Sequence, residues 1–263
     1  MTPILLALAA AAAPTGPAAP AAPKTAEECT ALVKQSPEQA IAAADQWRIR
    51  GGGLDARACL GLAYSNAGRW EAAATTLEAA AREAESTKDL RSADFWSQAG
   101  NAWLAAGQGA NARKALDAAL ASPTLTSELR GEVHLDRARA AVQAGDPAGA
   151  RVDIDKSLQL VPADPFAWYL SAALARRQND LPRAQKDIAK AVELAPGEAP
   201  ILLEAGNIAG VSGEPEAAQG LFARAMRAAP ESDAGKAAAA AIAANSESSP
   251  GTPAPEATDK PRA

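Results

Sequence analysis

Three prolines, Pro162, Pro196 and Pro230, stand 34 residues apart, and each closes an alanine-rich amphipathic stretch. A repeat of this length constrains the fold more than any local propensity does. One unit cannot bury its apolar face alone and becomes stable only when stacked on copies of itself. Counting back from the prolines, Ala150, Ala184 and Ala218 fall in one column, Ile154, Ile188 and Phe222 in the next, and Ser157, Ala191 and Ala225 in a third. Small, large, small is what two packed helices need: a small residue where the backbones cross and a large one to fill the space beside it. Hydrophobic residues make up 48% of the 263-residue chain but aromatics only 4%, so the core is built from small side chains between closely spaced helices. The fold class is all-α.

Local chemistry marks the helix ends. Ser36-Pro37, Asp146-Pro147 and Asp164-Pro165 each pair an N-cap oxygen with a proline at the first helical position, where its missing donor costs nothing. Gly68, Gly107, Gly145 and Gly213 recur where the first helix of each hairpin should end, with Asn179 in the same place once, and these residues tolerate the left-handed conformation that such endings use. Thr25 with Glu28 and Ser36 with Gln39 read as capping boxes opening helices near 26–35 and 37–50.

The columns resemble the tetratricopeptide repeat, whose first helix carries Trp or Leu, then Leu-Gly, then Tyr, and whose second carries Ala, Phe and Pro. Leu60-Gly61 and Tyr64 fit it, with Ala73 and Leu77 behind them; so do Trp96, Gly100 and Trp103 with Ala112 and Leu116, then Trp168, then Leu202 and Gly206. His134, Arg137 and Ala209 depart from it. The resemblance implies an α-solenoid of stacked antiparallel helix hairpins, a superhelix with disordered termini. Its units lie near 54–92, 93–130, 131–164, 165–198 and 199–232, within a domain spanning 26–245. An N-terminal cap hairpin covers 26–50 and a solvating C-terminal helix 231–245, while 246–263 reads as a disordered tail. Extra residues around Ser86–Ser92 and Ser122–Leu129 predict longer connections.

Residues 1–25 read as a signal peptide and a Pro/Ala-rich spacer: the apolar run ILLALAAAAA is too short to span a bilayer, and no Lys or Arg precedes it. The reading places the protein in the periplasm or outside the cell, the alternative being a cytoplasmic protein with an Ala/Pro leader. Cys29 and Cys59 are then an even set that an oxidising compartment could join. Their separation of 30 is one repeat less one helical turn, which admits either a disulfide or two small buried thiols. The net charge of −5 excludes a nucleic-acid backbone as the natural partner.

Chemistry of other kinds finds no purchase. His134 is the single histidine and reads as a partly buried structural residue; with two distant cysteines it makes no metal set. Asp153 and Asp155 point to different helix faces and read as solvated. Gly51-Gly52-Gly53 lacks the strand before and the Lys-Ser/Thr after that a phosphate loop needs, and reads as a flexible exit from a helix. Of the five tryptophans, Trp47 among them, Trp96, Trp103 and Trp168 fall on packing positions and Trp70 can cover a hairpin turn, so they read as core residues rather than an aromatic ligand cage. No catalytic residue, metal site or cofactor is expected.

The function implied by the resemblance is a non-enzymatic scaffold that binds a protein or peptide segment in its concave groove; the alternative is an assembly subunit that self-associates through its convex face or terminal helix, and neither reading fixes the oligomeric state. Family geometry places Asn101, Leu135, Arg139, Phe166, Tyr169, Arg176, Leu203 and Asn207 in the groove, together with Val142 and Ala173. A carboxylate clamp of the Lys–Asn type is not expected, since Ser97 and Leu203 stand in the lysine position beside Asn101 and Asn207.

Overall fold

A computed structural model describes residues 22–248, with side chains described through Asn245. Most of the signal-like leader and the tail beyond Ser248 lie outside these residues. The described chain is all-α, with thirteen helices and no strand. It divides into two compact units, Met1–Thr124 and Leu125–Ala263. The first holds α1 (Ala26–Gln35), α2 (Pro37–Ile49), α3 (Gly53–Asn66), α4 (Trp70–Thr87), α5 (Ser92–Ala105) and α6 (Gly109–Ala121). The second holds α7 (Ser127–Gln143), α8 (Pro147–Leu160), α9 (Pro165–Arg177), α10 (Leu181–Leu194), α11 (Ala199–Val211), α12 (Pro215–Ala228) and α13 (Asp233–Ser248). Within each unit, consecutive helices pair as hairpins and the hairpins stack.

The hairpin turns share one mechanism. Gly68, Gly107, Gly145, Asn179 and Gly213 all have positive φ, between 61° and 82°. The residue after each donates its backbone N–H to a carbonyl five residues back, as Arg69 does to Tyr64 at 2.9 Å and Asp146 to Ala141 at 2.8 Å, so the helix ends on a satisfied left-handed cap. At the helix starts, Asp146, Asp164 and Asp180 accept from Gly149, Phe166 and Arg183 backbone N–H groups. Thr25 caps α1 in the same way, whereas Ser36 makes no side-chain cap bond and Pro37 opens α2 without it.

Each hairpin closes through a pair of residues sixteen apart in sequence. Ideal Cβ atoms built on Gly61, Gly100 and Gly206 would fall 2.7, 2.5 and 2.4 Å from Leu77, Leu116 and Phe222, so the large side chain of the second helix lies directly against the backbone of the first. In the two hairpins between, the first helix carries Ala138 or Ala172 and the second the β-branched Ile154 or Ile188, in shared cores. The alanine column beside them is fully enclosed, Ala184 included. Ala184→Leu is expected to cost about 1–3 kcal/mol by overpacking α9 against α10, read as a lowered denaturation midpoint; an unchanged midpoint would remove this register.

Ser157 occupies the third column, where the next repeats carry Ala191 and Ala225. It is completely buried and its Oγ has no hydrogen-bond partner. A stranded hydroxyl costs desolvation without return, so Ser157→Ala is expected to stabilise the protein by about 1 kcal/mol in urea denaturation.

The extra residues between the early repeats lengthen helices more than connections. α4 runs for 18 residues and α7 for 17, against 13 or 14 in the other helices of the five repeat hairpins. The added turn of α4 holds Glu85, which accepts from Trp96 Nε1 at 2.6 Å, and Lys88 caps it at φ 56°. The Gly51–Gly53 run is an ordered turn rather than a flexible exit: Gly51 and Gly53 have positive φ, and a Cβ on Gly52 would strike the Trp47 indole at 2.4 Å. Trp96 and Trp103 are buried, each donating its indole N–H to a glutamate of α4. Trp70 is more exposed than a packing role requires, at 39%.

Candidate functional site

On the second unit, α7 and α9 line a shared surface with matched spacing. α7 contributes Glu132, Leu135, Asp136, Arg139, Val142 and Gln143; α9 contributes Phe166, Tyr169, Leu170, Ala173, Leu174 and Arg177. Both sets recur at three- and four-residue steps, so each is one face of its helix. They enclose two adjoining recesses. One, of about 170 Å³, lies among Ala138, Val142, Tyr169, Ala173 and Leu174 with Arg139 and Arg177 also lining it. The other, of about 520 Å³, opens between Glu132, Leu135, Asp136 and Phe166. Arg139, Tyr169 and Leu170 line both. Phe166 is 41% exposed and meets Tyr169 edge-on, ring centroids 6.4 Å apart.

Of the groove residues expected from sequence, this surface brings together Leu135, Arg139, Phe166 and Tyr169, with Val142 and Ala173. Arg176 and Asn207 line neither recess and share one partner, Glu204. Arg176 donates from Nε to Glu204 Oε1 at 2.6 Å and from Nη2 to Oε2 at 3.2 Å, and Asn207 Nδ2 donates to the same carboxylate at 3.3 Å. Leu203 packs against the core of α11, α12 and α13. Asn101 is half-buried on α5 in the first unit. Glu204 itself was not among the expected residues. It is only 6% exposed, and a lone carboxylate inside the apolar run of α11 must find a cation, which is the signal that could have identified it.

The two expected arginines are therefore engaged: Arg176 by Glu204, and Arg139 by Asp136 at 2.9 Å. Two charged groups at the surface are not. Glu132 and Arg177 are exposed and form no hydrogen bond or ion pair with the described residues. The Tyr169 hydroxyl is likewise unbonded, and burial together with the nearby Glu204 charge pushes its pKa up from the ordinary phenol value.

Asp153 corrects the expectation of a solvated carboxylate. It is 5% exposed and accepts from His134 Nδ1 at 2.9 Å and from Arg137 Nε and Nη2 at 2.9 and 2.6 Å. A carboxylate can only accept, so Nδ1 carries the proton. Burial pulls this carboxyl upward, but the hydrogen bonds from His134 and Arg137 and the Arg137 charge outweigh it and hold the pKa at about 2. One repeat later Asp187 is buried in the same position and accepts from Ser171 Oγ at 2.5 Å and from Arg183. Arg183 also bonds Asp155, which joins the second helices α10 and α8, and Arg151 of α8 donates to Ser171 of α9. One more repeat along, Leu221 replaces the carboxylate. The buried carboxylates among these groups are paired within the network, while Arg183 and Asp187 also line an open recess of about 570 Å³ with Leu158, Trp168 and Lys186.

In the first unit, Cys29 on α1 and Cys59 on α3 form a disulfide with Cα atoms 5.9 Å apart. Both are buried in a core with Val33, Ala40, Ala44, Leu60 and Ala63. Among the described residues no cluster of three or more His, Cys, Asp or Glu is placed to hold a metal ion.

No protein-family model matches the chain, and no curated protein does. Solved structures do. The chain is similar to PilF of Pseudomonas aeruginosa (20% identity, TM-score 0.61, covering 82% of this chain and 95% of that one). It is similar to PilW, described as a widely conserved type IV pilus biogenesis factor (21%, 0.65, covering 81% and 96%). It is similar also to BtubC of P. vanneervenii (14%, 0.58, covering 91% and 95%). At these identities the likeness speaks to architecture alone. Joined with the 34-residue period, the left-handed hairpin caps and the small–large closure of each hairpin, it establishes that the chain has the tetratricopeptide-repeat fold.

Proposed function

We propose that the protein is a non-enzymatic interaction scaffold that binds a segment of another protein on the α7–α9 face. One observation carries this reading: an apolar recess walled by Val142, Tyr169, Ala173 and Leu174 opens beside a phenol hydroxyl and a guanidinium, those of Tyr169 and Arg177, that no described residue bonds. Polar groups of a folded chain are generally satisfied, and partial satisfaction at the mouth of an apolar recess is what a binding surface looks like before its partner arrives. An acidic C-terminus held between Asn207 and a lysine is not part of the reading, because Glu204 places a carboxylate beside Asn207.

The disulfide and the apolar leader together support a periplasmic or secreted protein, since such bonds persist in oxidising compartments. No helix among the described residues is long and apolar enough to cross a membrane.

A photo-crosslinking residue at Phe166 tests the groove. It is expected to capture a partner segment from an envelope extract, whereas the same group at Lys186, exposed on α10, is not. Ala173→Phe fills the smaller recess and is expected to abolish capture while circular dichroism stays unchanged. Equal capture from both positions would move the interface off this face.

A second reading is self-association through the second helices. It draws on Val152, 54% exposed on α8, and on a recess of about 560 Å³ including Ile188, Val192 and Leu221. Light scattering of the purified protein decides it: a defined oligomer without any partner favours assembly over partner binding.

A further inference from the structure

Resting on the groove reading above, we propose that the occupant of the α7–α9 surface is an amphipathic helix lying antiparallel to both, acidic in its first turn and basic in its last.

The argument for a helix begins with backbone groups. An extended segment brings a row of N–H and C=O groups that need partners, and strand addition supplies them from a free sheet edge. The walls here are helices whose own backbone bonds are internal, and the polar side chains along the middle of the surface are few. A helix arrives with its backbone already bonded. Its side chains also recur at the right interval: the lining residues of α7 and α9 follow three- and four-residue steps, so they form ridges and grooves that a third helix matches. From Glu132 to Gln143 the surface runs for roughly 16 Å, about three helical turns. The smaller recess, about 170 Å³ in volume, has room for one large aliphatic or aromatic anchor.

Polarity follows from the two uncommitted charges. Glu132 lines the surface at the end where α7 and α9 begin, and Arg177 lines it where they finish. Arg139 between them is balanced by Asp136. The surface therefore presents a free negative charge at one end and a free positive charge at the other. A bound helix complements both by placing acid near Arg177 and base near Glu132. The helix dipole favours acidic residues in the first turn and basic ones in the last. Both demands are met together only if the first turn sits at Arg177, which makes the bound helix run opposite to α7 and α9.

Two synthetic probes and the full-length protein test this. Each is a fluorescent peptide of about fourteen residues, a length of roughly 21 Å as a helix, with leucines spaced three and four apart on an alanine background. The first starts with Glu-Glu and ends with Lys-Lys; the second carries Glu-Glu at both ends. By fluorescence anisotropy the first is expected to bind about tenfold more tightly at low salt, and Glu132→Lys is expected to reverse the order. Carbodiimide coupling is expected to join the carboxy-terminal lysines of the first probe to Glu132, fixing the direction. Coupling only to carboxylates away from this end overturns the antiparallel arrangement. Equal affinities, both lost in Ala173→Phe, overturn the charge polarity and leave the groove standing. Binding of neither probe overturns the helical occupant, and crosslinking from Phe166 then decides separately whether the groove reading falls with it.

Discussion

Replacing both half-cystines, as Cys29→Ala/Cys59→Ala, is expected to lower stability by about 3–4 kcal/mol, the largest effect of any change outside the repeat columns. The bond closes a loop of 30 residues, and releasing it restores chain entropy to the unfolded state. The sulfurs contribute little else. Alanine fits the small, dry core around them, where Ala40, Ala44 and Ala63 already pack, so cavity formation adds only modestly. Reduction of the wild-type protein should reproduce the loss without any mutation. Denaturation monitored with and without dithiothreitol, beside the double variant, checks both. Equal stability of all three samples would show that the bond is incidental to the fold.

Asp153→Ala is expected to cost about 3 kcal/mol. Removing the carboxylate strands His134 and Arg137 against a buried wall, and breaking a buried pair costs more than the pair contributed because a charge is left uncompensated. Arg137 retains some access to water and can relax outward, which holds the effect at the lower end of the usual range. The pH dependence has a definite sign. The Asp153 pKa is depressed in the folded state, from 3.8 to about 2. Its contribution is therefore complete above the unfolded value and is lost as pH falls from about 4 towards 2. Asp153→Asn should flatten that part of the stability–pH curve. A wild-type curve already flat between pH 4 and 2 would show that the carboxylate is not held as the geometry indicates.

The helix ends and hairpin turns were legible because their chemistry is nearly exclusive. Gly68, Gly107, Gly145, Asn179 and Gly213 stand where a left-handed residue is required, and few residue types accept that conformation. Lys88 shows the limit. It takes the same conformation at the end of α4, and nothing in a lysine announces it. The residues from Ser86 read as part of a longer connection, yet α4 continues through Ser86 and Thr87.

The charged positions were harder to place because their partners are distant in sequence. Asp153 looks like its neighbour Asp155, and only the positions of His134 and Arg137, nineteen and sixteen residues earlier, show that it turns inward. Arg176 was assigned to the groove by helical phase alone. A carboxylate 28 residues away, Glu204, pairs with it. Leu135, Arg139, Phe166 and Tyr169 were placed on one surface by the same phase argument, and all four line one recess, Arg139 with its partner Asp136 beside it.

The residues sixteen apart that close each hairpin make every repeat a lock carrying its own key. Glycine meets leucine or phenylalanine, and alanine meets isoleucine. Neither half can change alone without a void or a clash, but both can change together. Gly206→Ala should be rescued in part by Phe222→Ile, which recreates the pairing of the preceding repeat. Because both members of each pair belong to one hairpin, whole hairpins can be shuffled, duplicated or deleted with their internal fit preserved. Descent by such exchanges would leave relatives alike in architecture while their sequences drift apart, which is the relation this chain has to the solved structures it resembles in shape.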